Sequence, residues 1–197
     1  STTETYYFSA KTEKINLKLF QKREDKIRYS IDSWQNYFYL HTNKNAPDFK
    51  ICRCKHENPN DIKEFIPAKN EVLIGGFIFL EEWMIRDEIS NALPKLFVKN
   101  LNDNKEEELI FSDEIVCSPG VSEMQKDRKT DNLYLSYSSP KTNARTYIYN
   151  LKTKEKKLVK EQIIPSGHSP ENYITERLEC RSHDGRMIPL TITRHKK

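Results

Sequence analysis

The chain has 197 residues, of which 36% are hydrophobic and 31% are charged. Its net charge is only +4, and the basic residues are interspersed with acidic ones, so the basic stripe of a nucleic-acid-binding domain is absent. The longest apolar run, Val72–Leu80, has the length of a strand and is too short to span a membrane. No basic-then-apolar leader opens the chain, and we predict a cytoplasmic protein that contacts neither nucleic acid nor membrane.

Short strands separated by polar turns are predicted along most of the chain, whereas helical periodicity is scarce. The first group of predicted strands is Tyr6–Phe8, Ile15–Phe20, Lys26–Ile31, Asn36–His41, Phe49–Cys54 and Glu64–Ile66. Alternation of apolar and polar residues within these strands is typical of antiparallel sheets with one solvated face.

Two further groups follow with a similar layout. The second comprises Val72–Leu80, Trp83–Arg86, Lys95–Val98 and Glu108–Phe111, and the third comprises Glu114–Cys117, Asn132–Tyr137, Arg145–Leu151 and Lys156–Lys160. Equivalent strands near Tyr37, Trp83 and Tyr134 recur about every 50 residues, which is the period of β-propeller blades. Periodicity alone also allows a β-sandwich.

The last part of the chain departs from this layout. Tyr173–Arg181 and Met187–Arg194 read as two longer strands. Between them, Asp184 and Gly185 predict a hairpin with a type I′ turn, in which both central residues take positive φ. We therefore expect a separate unit after the third group.

Several segments resemble oligopeptidase B, a serine peptidase group of the prolyl oligopeptidase family. Ile27–Cys54, Ile74–Glu88 and Leu133–Leu151 are similar to its propeller blades. The tail is similar to the family's return from the propeller to the hydrolase domain, and the matching residues are Tyr173, Glu176, Arg177, Asp184, Gly185, Ile188 and Pro189.

The resemblance implies an all-β chain in two parts. Residues 1–162 would form a partial β-propeller of about three four-stranded antiparallel blades. Residues 163–197 would form the interdomain linker and the first β-hairpin of an α/β-hydrolase domain, with a hinge from Ile163 to Arg177. The implied role is a substrate-gating segment of a serine oligopeptidase that cleaves short peptides after basic residues. The hydrolase domain would lie in the same or a separate chain.

Three blades do not close a ring, so the outer two would each expose an apolar face. A partner chain or self-association would cover such faces. The alternative hypothesis is a free-standing β-rich binding or scaffold module without peptidase activity.

Catalytic residues are not predicted in this chain. A nucleophile elbow needs Gly-x-Ser-x-Gly, and none of the five glycines bracket a serine at that spacing. Ser182, His183 and Asp184 contain the three residue types of a triad, but consecutive residues on a strand point to alternate faces. We read them as the end of a hairpin and expect the chain alone to be inactive.

The other polar candidates are also assigned ordinary roles. His41, His56, His168 and His195 are predicted to be exposed histidines in polar turns or at strand edges. Four carboxylates flank Trp83, namely Glu81, Glu82, Asp87 and Glu88. They could act as an acid–base pair or attract basic peptides, but a charged edge around one buried Trp is the preferred interpretation.

The cysteines and the most basic segment complete the survey. Cys52, Cys54, Cys117 and Cys180 lack Cys-x-x-Cys spacing, and we predict reduced, packing cysteines with no metal site and no cofactor. Lys152–Lys160 is predicted to be a solvated turn followed by an edge strand.

Overall fold

A computed structural model describes residues 2–110, 112–124 and 128–197. Within these ranges the chain forms sixteen β-strands and one 3-10 helix, which confirms the all-β class. The chain divides into two compact units, residues 1–74 and 75–197.

The first unit contains a two-stranded and a four-stranded antiparallel sheet. The strands of the small sheet are β1 (Thr5–Tyr7) and β2 (Lys18–Gln21). Those of the larger sheet are β3 (Tyr29–Trp34), β4 (Tyr37–Thr42), β5 (Lys50–Lys55) and β6 (Asn58–Ile66). The larger sheet keeps chain order in space, so each strand pairs with the next through a short connection.

Aromatic residues join the two sheets of the first unit. The Phe38 ring lies 4.9 Å from that of Tyr7 and 5.4 Å from that of Phe20, both in edge-to-face geometry. Cys52 and Cys54 are buried in the same cluster, because residues two apart on a strand share a face. Edge-to-face pairs add about 0.5–1.5 kcal/mol each to the burial of apolar area.

Two more four-stranded antiparallel sheets follow. The first comprises β7 (Val72–Leu80), β8 (Trp83–Ser90), β9 (Leu93–Asn100) and β10 (Glu106–Glu108). The second comprises β11 (Ser118–Glu123), β12 (Asn132–Ser138), β13 (Arg145–Asn150) and β14 (Lys156–Glu161). Both keep chain order in space, and three four-stranded sheets are thus found in the described residues, as predicted.

The main apolar core of the second unit lies between these two sheets. Its buried members are Leu80, Ile85, Leu96, Val98, Leu109, Leu133, Leu135, Tyr149 and Leu151. Leu96 and Val98 lie two apart on β9, as do Leu133 and Leu135 on β12, so a single face of each strand enters the core. Burial of each large side chain contributes about 1.5–3 kcal/mol, which makes this core the principal source of stability in the unit.

A buried ionic cluster lies on the opposite face of β8. Arg86 is fully buried, and its Nη2 atom donates to Glu88 Oε1 at 2.7 Å. Its Nη1 atom donates to Glu106 Oε2 at 2.6 Å, and the guanidinium lies over the Phe97 ring at 4.9 Å. A buried guanidinium is tolerated only with charged, hydrogen-bonded partners, and here two carboxylates share it.

One strand prediction is wrong, and another is correct only at its first residue. The strand predicted over Glu114–Cys117 is absent, and the chain forms β11 at Ser118–Glu123 instead. The sequence Ser-Pro-Gly at its start resembles a turn, but β11 is an edge strand, where proline is tolerated. The strand predicted to end at Phe111 ends at Glu108, and Phe111 lies outside the described residues.

The C-terminal hairpin follows a 3-10 helix at Pro170–Asn172. Its strands are β15 (Tyr173–Arg181) and β16 (Met187–His195), in agreement with the prediction to within one residue. The predicted type I′ turn is wrong, because of its two central residues only Gly185 takes positive φ, at +86°. The amide of Gly185 donates to the Ser182 carbonyl at 2.9 Å, and the amide of Ser182 donates to the Arg186 carbonyl at 2.8 Å. The two bonds define a three-residue loop that ends in a glycine bulge.

Candidate functional site

The linker after β14 is attached to the β11–β14 sheet at two points. The amide of Gln162 donates to the Ala144 carbonyl at 2.8 Å. The Nε2 atom of His168 lies 2.6 Å from the Lys141 carbonyl, and because a carbonyl only accepts, this nitrogen carries the proton. The chain between them, which includes Ile163 at 85% exposure, is largely solvated.

Three aromatic rings connect the linker to the open end of the hairpin. The Tyr173 ring lies 5.1 Å from that of His168 and 5.2 Å from that of His195. The amide of Lys196 also donates to the Asn172 carbonyl at 2.8 Å. Linker and hairpin are therefore held together where the chain enters β15.

Arg177 connects the hairpin to the β8–β9 turn. Its Nη2 atom donates to the Asn91 carbonyl, and its Nη1 atom donates to Thr191 Oγ1 at 3.3 Å. It also lines a cleft of about 220 Å³ that Glu114 and Lys141 share. A guanidinium can serve several acceptors at once, so one side chain bonds within the hairpin and also to a turn 86 residues earlier.

The cleft contains a carboxylate with a perturbed pKa. Burial acts to raise the pKa of Glu114, but hydrogen bonds from Ser139, Thr142 and Tyr137 outweigh it and lower the pKa. The hydroxyl of Thr142 donates to Glu114 Oε1 at 2.6 Å. Glu114 is therefore ionised at neutral pH.

One face of the hairpin is apolar and exposed. Leu178 pairs with Leu190 across the strands, and Cys180 pairs with Ile188 on the same face. The leucines are 49% and 46% exposed, and Ile188 is 51% exposed. An isolated two-stranded ribbon with a bare apolar face is marginally stable in water, so this face is suited to contact with another surface.

Comparison with known proteins identifies the group to which this architecture belongs. A model of the prolyl oligopeptidase N-terminal β-propeller domain matches residues 1–162. The chain belongs to this family. We name the sheets β3–β6, β7–β10 and β11–β14 the first, second and third blades.

Two curated relatives show how much of a family protein the chain spans. Dipeptidyl aminopeptidase BI of Pseudoxanthomonas mexicana is 30% identical over 178 residues, which cover 88% of this chain and 24% of that protein. Protease 2 of Moraxella lacunata is 21% identical over 203 residues, which cover 97% and 27%. The chain thus spans about a quarter of the length of the relatives it matches.

Solved structures agree on the fold. Oligopeptidase B from Trypanosoma brucei, in a closed form with covalently bound antipain, matches with a TM-score of 0.88 at 23% identity, over 99% of this chain and 29% of that one. Oligopeptidase B from Leishmania major matches with a TM-score of 0.86 at 16% identity, over 99% and 29%. The partial propeller of three blades is therefore confirmed.

Ser182, His183 and Asp184 lie in the loop between β15 and β16, where Ser182 is half-buried and the other two residues are exposed. The argument from strand alternation is wrong for them, because the Ser182 hydroxyl lies 3.3 Å from His183 Nδ1. Asp184 Oδ1 accepts from the Arg186 amide at 3.2 Å. A solvated loop offers no water-excluded site around this hydroxyl–imidazole pair.

The prediction of exposed histidines holds for His56 and His195 and is wrong for His41 and His168. His41 is half-buried, with Nε2 at 2.8 Å from the Ile74 carbonyl and its ring stacked on Phe49 at 4.5 Å. Half-burial of His41 and His168 is possible because each imidazole hydrogen-bonds to a backbone carbonyl.

The carboxylates around Trp83 do not form one group. Glu88 is buried against Arg86, whereas Asp87 lies on the other face of β8, next to Gly75. Glu81 and Glu82 are exposed in the β7–β8 turn. Trp83 is only half-buried, so the interpretation of a charged edge around a buried Trp is wrong in both respects.

All four cysteines are free. Burial raises the pKa of the Cys54 thiol to about 11, and it also raises that of Cys52. Cys180 is exposed on the apolar hairpin face, so it does not pack as predicted. Within the described ranges, no group of three or more His, Cys, Asp or Glu side chains is placed to hold a metal, and no helix could cross a membrane.

The third blade does not present the large apolar face that an open ring suggested. Its face opposite the core carries Tyr134 and Ile148 as cross-strand partners. Ser122, Ser136 and Thr146 lie on the same face. Hydroxyl groups therefore make up much of this surface.

Sequence reasoning did not identify two of the contacts above. Arg177 was noted as a motif match, but its partner Asn91 is 86 residues earlier in the chain. The burial of Arg86 was also missed, although an arginine two residues before a glutamate on one strand face is a usable signal for an ion pair.

Proposed function

We propose that the chain is the propeller part of a two-domain serine peptidase and restricts access of substrates to a hydrolase domain. The observation that carries the proposal is the exposed apolar face of the β15–β16 hairpin, directly after the third blade. In the proposal, residues 1–162 belong to the propeller and residues 163–197 begin the second domain. The sheet of the hydrolase domain, in the same or a separate chain, covers Leu178, Ile188 and Leu190.

The linker is the proposed hinge between the domains. Residues 163–177 touch the blades mainly through His168 and Arg177, and few polar contacts mean a low barrier to local opening. For two prolyl endopeptidases, inter-domain dynamics are described as having a role in catalysis and specificity. We propose the same use of motion here.

The proposed substrates are short peptides with basic residues, and their cleavage depends on the hydrolase domain and not on this chain. Support comes from the resemblance to oligopeptidase B. The relatives also include a dipeptidyl aminopeptidase and a prolyl endopeptidase, so other specificities compete with this one.

We propose a cytoplasmic location. If a hydrolase domain is absent, the apolar hairpin face would cause self-association, which light scattering would detect.

Binding to a hydrolase domain tests the proposal. The chain is mixed with the hydrolase domain of the Pseudoxanthomonas mexicana relative, and complex formation is followed by size-exclusion chromatography with light scattering. We expect a one-to-one complex that Leu190→Glu weakens at least tenfold, because a charge would enter the apolar contact. Thr193→Glu is the matched control, since Thr193 lies on the same strand and opposite face.

The result also separates the two hypotheses. An absence of complex, or equal loss with both variants, favours a free-standing binding or scaffold module. A downstream reading frame with a Gly-x-Ser-x-Gly elbow would favour the peptidase.

A further inference from the structure

A pocket of about 580 Å³ lies within the first unit, between the β1–β2 connection and one end of the first blade. Its aromatic lining comprises Tyr7 of β1, Phe8 directly after β1 and Phe38 of β4. Phe8 is 49% exposed and Tyr7 is half-buried, so both rings are accessible to a bound molecule. Small-molecule sites are typically concave and partly apolar, and this volume is within their usual range.

The wall that the blade supplies is held by packing and hydrogen bonds. The ring of Phe38, which is almost fully buried, lies 4.9 Å from that of Tyr7 and 4.4 Å from that of His56. His56 Nε2 lies 3.1 Å from the Ser33 hydroxyl, and the His56 amide donates to the Asn36 carbonyl at 3.0 Å. Phe38 therefore supports the accessible rings from behind, and this wall is formed before a ligand binds.

The other wall, in the β1–β2 connection, contains a turn closed by its own hydrogen bonds. The Thr12 hydroxyl lies 2.9 Å from the Ser9 carbonyl and 3.0 Å from the Lys14 carbonyl. The Lys11 amide donates to the Ser9 hydroxyl at 3.3 Å. Such local bonds favour one shape of the turn, so the side chain of Lys11 extends from a defined backbone position.

Two ammonium groups belong to the lining. Lys18 is the cross-strand partner of Tyr7, so their side chains share a face, and Lys11 comes from the turn. Neither lysine has an ion-pair partner in the part of the chain that the structure describes. None of the described residues that line the pocket is an aspartate or a glutamate. The lining therefore carries a net positive charge, which attracts a negative ligand.

Carboxylates that neighbour the lining residues in sequence are engaged or lie outside the pocket. Asp32 Oδ1 accepts from the Ser33 amide at 2.7 Å, and Glu57 pairs with Lys55 at 3.4 Å. Glu13 is exposed in the β1–β2 connection and is not part of the lining, so solvent and salt screen its charge. The positive charge of the lining is thus not cancelled within the pocket.

We propose that this pocket binds an organic anion with an aromatic ring. The ring packs against Tyr7 and Phe8, since aromatic pairs favour offset or edge-to-face contact. The negative group faces Lys11 and Lys18, which act as point charges. The site lies wholly within residues 1–74, and its occupancy depends neither on a hydrolase domain nor on the proposed gating function.

The test compares three probes of similar size, namely naphthoate, its uncharged amide and the saturated anion decalin carboxylate. Affinity is measured by calorimetry on the whole chain at low ionic strength. We expect naphthoate to bind about two- to tenfold more tightly than the amide, the range that two exposed ion pairs give. The saturated anion should bind about two- to fivefold more weakly than naphthoate, because it lacks the ring contacts. Equal affinity of naphthoate and either other probe would overturn the proposal.

Two matched pairs of variants locate the binding. Lys11→Gln combined with Lys18→Gln should abolish the preference for the acid over the amide, whereas Lys14→Gln, in the same connection but outside the lining, should preserve it. Phe8→Ala should weaken naphthoate binding about fivefold. Tyr6→Ala removes a ring that is 52% exposed and outside the lining, so it should leave the affinity unchanged. Equal effects within either pair would contradict the proposed site.

Discussion

Two regions of the molecule have the same sequence pattern but differ in burial. One is the interface between the second and third blades, and the other is the C-terminal hairpin. Both are antiparallel strands with alternating apolar residues, yet Leu135 is fully buried between the blades and Leu190 is 46% exposed on the hairpin. Alternation determines which residues share a face. Whether that face is covered depends on a second layer. The two blades supply such a layer to each other, whereas none of the residues that the structure describes covers the apolar face of the hairpin.

Leucine truncation on the two sides should give the largest difference. Leu135→Ala removes a fully buried side chain and leaves a cavity, so the free energy of unfolding should fall by about 3 kcal/mol. Leu190→Ala should cost less than about 1 kcal/mol, because the side chain already contacts water. Urea unfolding followed by tryptophan fluorescence measures both. Equal losses would mean that the hairpin face is covered.

Ion pairs offer the same contrast within one blade. Glu88→Gln removes one of two carboxylates from buried Arg86 and should cost about 2 kcal/mol, less than the loss of a sole partner, since Glu106 still pairs with the guanidinium. The matched control is Lys95→Gln, which breaks a partly exposed pair with Glu108 and should cost under about 1 kcal/mol. Equal unfolding midpoints for the two variants would contradict the assigned burial of Arg86.

The sequence predicted what is local and repetitive. Three groups of strands and the tail hairpin were found because alternation and turn residues act over a few positions, as Tyr173–Arg181 illustrates. β11 was misplaced since Ser118, Pro119 and Gly120 resemble a turn, and only the pairing with β12 makes them a strand.

Contacts between distant segments could not be read from the sequence in this way. The pairing of Arg177 with Asn91 and the pocket lined by Phe8 and His56 depend on how sheets and turns come together. The half-burial of His168 likewise requires a carbonyl at Lys141, 27 residues earlier.

Arg177 joins the C-terminal hairpin to the β8–β9 turn of the second blade. Arg177→Gln should speed hydrogen exchange of the β15 and β16 amides about fivefold, because the hairpin loses its hydrogen bond to the Asn91 carbonyl. Core amides of the third blade should be unaffected. Arg194→Gln is the control, since its exposed pair with Glu176 at 3.4 Å lies within the hairpin. Equal acceleration by both variants would rule out a specific tether.

The smallest effect concerns pH. The pKa of Glu114 is lowered from 4.5 in the folded chain, so its ionised form stabilises the fold. This contribution is present above the unfolded pKa and is lost as pH falls through the lowered, folded pKa. The stability advantage of the native chain over Glu114→Gln should therefore be constant from pH 7 to about 5 and disappear in more acidic solution. Urea unfolding at a series of pH values measures it, and a constant advantage down to pH 2 would contradict the assignment.

The central claim is that this chain supplies the propeller and not the peptidase chemistry. Its most direct test is the hydrolysis of a fluorogenic peptide with arginine before the reporter group, measured with the purified chain alone. We predict a rate equal to that of buffer, and the same rate for Ser182→Ala. Turnover by the chain that Ser182→Ala abolishes would contradict the account, because it would place a working nucleophile in the loop between β15 and β16.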